Sequence, residues 1–139
     1  MFVEKIIDLV DNKQLLLLHS KIQLTKSGIV EIDVFDNVII NENCSKEIIA
    51  GFKKILETDK KYPILCSIGK GVDIEKEAKD YGVTQEGVMY SSAEAYVVKS
   101  ILKRLLLNAS LKIRGSKANL PTKFFSNRNQ AYAWLLKFT

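Results

Sequence analysis

The sequence predicts an α/β fold: a layered domain with a mixed sheet of about five strands, an N-terminal hairpin and covering helices. Two observations carry this. Runs of strand length, Ile29 to Phe35, Tyr62 to Ile68 and Thr122 to Phe125, alternate along the chain with stretches whose apolar residues recur at helical spacing. The chain also has 139 residues, 47% hydrophobic and 27% charged, which suits one globular domain spanning 1–139 with a core of its own. Crossovers between parallel strands are expected to be right-handed.

The elements follow in order. Residues 1–13 form an N-terminal extension. Within it Phe2, Val3, Ile6, Ile7, Leu9 and Val10 suit a short amphipathic helix over 1–11. Gln14 to Thr25 reads as one strand, and Gly28 supplies the positive φ of a turn. Ile29 to Phe35 then alternates apolar and acidic residues, as a half-buried strand does. These two runs make the N-terminal hairpin.

A short apolar run, Val38 to Ile40, leads to Asn41 and Asn43, both suitable helix caps. The helix from about Cys44 to Thr58 puts Ile48, Ile49, Phe52, Ile55 and Leu56 on one face. Tyr62 to Ile68 is almost wholly apolar, as a strand buried on both faces is. Gly69-Lys70-Gly71 ends it. Asp73 is placed to cap a helix running to Tyr81, and Gly82 to stop it. Thr84 to Tyr90 suits a short helical turn. Ala93 to Val98 fits a strand or the start of one long helix, and periodicity leaves both open. Lys99 to Leu111 is rich in helix formers, and Arg114 to Asn119 is a polar loop. Pro121 opens the last strand, Ser126 caps the last helix, and Ala131, Trp134, Leu135 and Phe138 share its apolar face. Trp134 is expected to be largely buried.

No apolar run approaches the length of a membrane span, and the acidic first residues do not suit a secretory signal. A cytoplasmic location is expected. Cys44 and Cys66 have no metal or redox spacing and are expected to be reduced and buried. The net charge of +5 is unevenly spread. All 16 acidic residues lie between Glu4 and Glu94, whereas the nine basic residues from Ala95 onward have no acidic neighbour in sequence. This can mark an acidic partner, or a basic face complemented by the acidic half within the fold.

Several segments together are similar to a known group. They are the strand Tyr62 to Ile68, the helix with Glu75-Lys76-Glu77-Ala78, the run Ala93-Glu94-Ala95-Tyr96-Val97-Val98-Lys99-Ser100, the leucine-rich stretch, and Pro121 to Phe125 followed by Ala131 to Leu135. From Lys21 to Phe138 the chain resembles small bacterial proteins of the SpoIIAA-like, or STAS-like, fold. The resemblance implies that Ala93 to Val98 is a strand. It also implies regulation through protein–protein contact. Anti-sigma-factor antagonists of that fold carry an Asp-Ser-Ser-Gly type motif with a phosphorylated serine. The matching stretch here, Cys66 to Asp73, lacks it, and Ser67 falls inside the strand, so no phosphoswitch is carried over.

Each constellation has a functional and a structural reading, and the structural one is favoured throughout. Gly69-Lys70-Gly71 is a strand-to-helix turn rather than a phosphate cradle, since a P-loop needs a different spacing. Asp73, Glu75 and Glu77 make a charged first helical turn. His19, the only histidine, and the two cysteines are assigned to packing, with no histidine close to either cysteine in sequence. Tyr90-Ser91-Ser92 is an ordinary turn and cap rather than a phosphorylation site. The basic set Lys112, Arg114, Lys117 and Lys123 is the candidate contact for a partner or an anion. Nucleic acid is disfavoured because no stacking aromatics are interleaved with these charges. The expectation is therefore a non-enzymatic protein with no metal and no cofactor. It would act through a protein partner, with a homodimer left open. The alternative is a binder of a small apolar or anionic ligand such as a lipid, in a pocket between helices and sheet.

Overall fold

Val30, Ile32 and Val34 are buried while Glu31 and Asp33 between them are only partly so, and this period of two makes β4 (Val30–Val34) a strand with two different faces. The computed structural model describes residues 5–8, 13–101, 103–104 and 120–139. Among the described residues the chain builds a seven-stranded mixed sheet around β4. Its antiparallel part comprises β1 (Lys5–Asp8), β2 (Lys13–Leu16), β3 (Ser20–Leu24) and β4. Its parallel part runs from β4 through β6 (Tyr62–Ile68) and β8 (Ser91–Val97) to β9 (Thr122–Phe125). A separate two-stranded parallel ribbon joins β5 (Ile39–Ile40) to β7 (Asp73–Ile74).

Helices cover both faces. On one side lie α1 (Glu42–Ile55) and α2 (Lys76–Gly82), with α1 resting Phe52 and Ile55 on a core of Leu15, Ile22, Val30, Ile32 and Ile64. On the other side α3 (Arg128–Leu135) sets Ala131 and Leu135 on Leu65, Ala93, Ala95 and Val97. The small residues of β8 on that face let α3 approach closely. Gly51 does the same for α1, because a Cβ there would stand 2.6 Å from Leu15 Cδ2.

The α/β class, the strands Tyr62 to Ile68 and Thr122 to Phe125 and the helix after Asn41 are as the residue patterns indicate, and Ala93 to Val97 lie in a strand, the one of two open readings that the resemblance implies. Four expectations need correction. The sheet has seven strands rather than about five, because residues 5–8 pair with β2 and do not form a helix, and because Gln14 to Thr25 folds back on itself. A helix of that length is marginal in isolation, whereas the edge of a hairpin offers ready backbone partners. The fold-back lies at Leu17 to His19, where Leu17 N–H donates to Ser20 O at 2.9 Å. The caps also differ. Asn127, not Ser126, accepts from Gln130 N–H, and Asp73 lies in β7 while Glu75 precedes α2. Both cysteines are half-buried, and so is Trp134, which lies against Phe125 and Phe138 at the rim of its cluster. Of the leucine-rich stretch, Ile101, Lys103 and Arg104 are helical; its remainder and the loop Arg114 to Asn119 lie outside the described residues.

Candidate functional site

Pro63 has no N–H to give to a ladder, and the register between β6 and β8 slips where it sits. Tyr62 pairs with Ser91 but Pro63 pairs with Ala93, so Ser92 is the extra residue of a β-bulge. The bulge re-aims the side chains that precede it. Ser91 and Glu94 thereby meet, and the buried Ser91 Oγ donates to Glu94 Oε2 at 2.7 Å. From the next residue on the same face, Tyr96 Oη donates to Glu94 Oε1 at 2.6 Å. Burial first, then the neighbouring Glu94 carboxylate, holds the Tyr96 phenol well above its usual range. The ring of Tyr96 stacks on Phe124 of β9, with centroids 5.1 Å apart and planes 20° from parallel.

This polar cluster is set beside a cavity of about 160 Å³. The sheet supplies Ile32, Ile64, Cys66 and Ile68 to its wall. Helix α1 supplies Ser45, Ile48, Ile49 and Phe52, and α2 supplies Ala78 and Tyr81. Tyr81 is itself pushed up to about 12, by burial first and then by Glu86. The result is an apolar chamber between two helices and the sheet, with a carboxylate and two hydroxyls converging on one end. Such a chamber can hold the apolar body of a small molecule and accept a hydrogen bond from its head.

The residues singled out in the sequence are distributed differently. Lys112, Arg114 and Lys117 lie outside the described residues. Lys123 is exposed on β9, its Nζ over the Phe125 ring at 5.4 Å from the centroid. Gly69-Lys70-Gly71 is a packed turn. Lys70 N–H donates to Asp36 Oδ1 at 2.8 Å and Asn37 N–H donates to Lys70 O at 2.8 Å, so two turns hold each other. Asp73, Glu75 and Glu77 are exposed, and Ser67 is in β6 as its neighbours indicate. Ser91 and Ser92 open β8. His19 is buried and stands beside Cys44 and Glu47 of α1. Sequence reasoning missed Glu94 as a site residue. The signal was there: an acid in the middle of Ala93-Glu94-Ala95-Tyr96-Val97-Val98, a run otherwise fit for burial.

The chain belongs to the family described as Domain of unknown function (DUF7793), whose model matches residues 22–139. No curated protein and no solved structure matches it. Among the described residues no helix is long and apolar enough to cross a membrane.

Proposed function

We propose that this domain is a non-enzymatic binding module for a small, mostly apolar ligand that carries one hydrogen-bond donor. The observation behind this reading is the chamber of about 160 Å³ with the buried Glu94 carboxylate at its edge. Apolar cavities of about 150 Å³ take up molecules the size of benzene, so a small aromatic or a short branched chain fits by volume. A buried carboxylate favours an amine, indole N–H or hydroxyl over a second anion, which narrows the apolar-or-anionic alternative to its apolar half.

The test is a panel of phenol, indole, benzylamine and cyclohexylamine, titrated while the amide spectrum of the protein is followed. Ligand binding should perturb residues of α1, α2 and β8 together. Ala78→Leu should fill the chamber and abolish the perturbation while the circular dichroism spectrum is kept. Glu94→Gln should weaken the two amines more than benzene, which is added as a reference with no hydrogen-bond donor. A panel that leaves all three elements unmoved sinks the reading.

Recognition of a protein partner through Lys112, Arg114, Lys117 and Lys123 is a separate proposal, supported by the positive charge of the chain beyond Glu94. Kinship with SpoIIAA-like proteins is likewise proposed, supported by the sequence segments quoted above and by the alternation of parallel strands with helices.

A further inference from the structure

Cys44 and Glu47 are three residues apart on α1 and therefore share a face. The turn between β2 and β3 brings His19 onto that face. Its backbone is held there by Phe35 N–H, which donates to His19 O at 3.0 Å. His19 Nε2 and Glu47 Oε1 are 3.2 Å apart, and His19, Glu47 and Cys44 each offer a ligand atom within 4.8 Å of those of the other two. We propose that His19, Cys44 and Glu47 bind a divalent transition-metal ion of the zinc class. The reading is independent of the apolar chamber.

The donor set is one imidazole nitrogen, one sulfur and one carboxylate oxygen, the types that zinc takes. Tetrahedral zinc with ordinary bond lengths separates such donors by about 3.3–3.8 Å. The observed separations, 4.8 Å at most, need closure by no more than about 1.5 Å, within reach of the half-buried Cys44 side chain. Each donor is prepared for the role. Cys44 lies in the first turn of α1, with its N–H held by Asn41 Oδ1 at 2.9 Å. Cys44 Sγ is 3.7 Å from Ile39 O, so the thiol proton is held until an ion displaces it. His19 is only 7% exposed, and its Nδ1 is 2.9 Å from the fully buried Ser20 Oγ. That hydroxyl is the outer-shell partner that fixes a ligating ring.

The proton balance is simple. Cys44 loses its proton to solvent as the S–metal bond forms. The Nε2 proton that faces Glu47 in the free protein leaves to solvent and one is taken up at Nδ1, where Ser20 Oγ accepts it, so the neutral imidazole still carries one proton and Nε2 gives its lone pair to the ion. Binding releases one proton, so affinity rises with pH. The fourth position faces a groove rimmed by Leu18 and Ile39, each 61% exposed. Water fills it, or a donor atom from whatever occupies the groove.

Cobalt(II) is the probe, because it reports its ligands by colour. Titration of the full chain should saturate at one ion per chain. It should give a thiolate-to-cobalt band in the near ultraviolet and visible bands of tetrahedral intensity, and zinc should erase both. Cys44→Ser should remove the near-ultraviolet band, and Glu47→Gln should weaken binding by about tenfold or more. Both positions are only half-buried and both changes nearly keep the side-chain volume, so both variants should keep the parent circular dichroism spectrum. Cys66→Ser, the other thiol, should leave the stoichiometry and the cobalt bands unchanged. Absence of saturable binding in the micromolar range overturns the proposal. So does a band that survives Cys44→Ser or disappears with Cys66→Ser.

Discussion

Trp134 and Leu135 are adjacent and do different work. Leu135 is 0% exposed on the sheet, whereas Trp134 is half-buried between Phe125 and Phe138. Truncation of Leu135 to Ala should therefore cost about 2–5 kcal/mol. Trp134→Ala should cost less than that, about 1–2 kcal/mol, because much of its surface already meets water. Urea unfolding of both variants checks the order, and a larger loss at Trp134 contradicts it. The serines of the bulge make a second pair. Ser91 donates to Glu94, while Ser92 Oγ is the one buried side-chain oxygen among the described residues with no hydrogen-bond partner. Ser91→Ala should cost about 1 kcal/mol or more, and Ser92→Ala should be neutral or stabilising. The tyrosines give a pH dependence. Unfolded tyrosine ionises near pH 10, but Tyr96 and Tyr81 are raised in the fold, Tyr81 to about 12. Above about pH 10 the unfolded state then binds fewer protons than the native one, so stability falls as pH rises through that window and is unaffected by these groups below it. Tyr96→Phe should flatten the loss between about pH 10 and 12, measured as the urea midpoint. An unchanged slope would place Tyr96 in contact with solvent.

At the scale of elements, two contacts decide how parts are joined. Gly69 ends β6 against the backbone of the β4–β5 connection, where a Cβ would stand 2.5 Å from Val34 O and 2.7 Å from Phe35 C. Neither atom can swing aside as a flexible side chain can. Gly69→Ala should lower the melting temperature by several degrees, as a loss of about 1–3 kcal/mol does in a domain of this size. A melting temperature within one degree of the parent's counts against the close approach. Arg128, at the start of α3, reaches β4 across the sheet, with Nη2 at 2.5 Å from Glu31 Oε1 and Nη1 at 2.8 Å from Asp33 Oδ1. This is one place where the basic C-terminal part meets the acidic first part inside the fold, as the charge division anticipates. The cluster is partly exposed, so its worth is modest and falls with added salt.

For the whole molecule, the sheet order sets the hierarchy of stability. β6 is one of the two inner strands of the parallel part, hydrogen-bonded to β4 and β8 and covered on both faces. Its amides should exchange slowest with solvent, and those of β9, at an edge, faster. Hydrogen exchange read by mass spectrometry tests this, and equal rates in β6 and β9 would contradict the order.

The sequence by itself determined the elements whose pattern is strong and local. Tyr62 to Ile68 is almost wholly apolar and of strand length, as a doubly covered strand is. Asn41 followed by Ile48, Ile49, Phe52 and Ile55 carries both the cap and the face of a helix, and β4 shows its alternation openly. The tertiary structure decided what depends on distant partners. Residues 5–8 have helical spacing but pair along β2, because backbone hydrogen bonds to a neighbour outweigh a weak local preference. Glu94 lies in a strand that reads as ordinary, and its meeting with Ser91 follows from the register slip at Pro63, which no spacing announces. His19 and Cys44 are 25 residues apart in sequence and adjacent in the fold. A local pattern records the face that a residue presents. It does not record what the chain folds against that face, and a candidate site is made of such meetings.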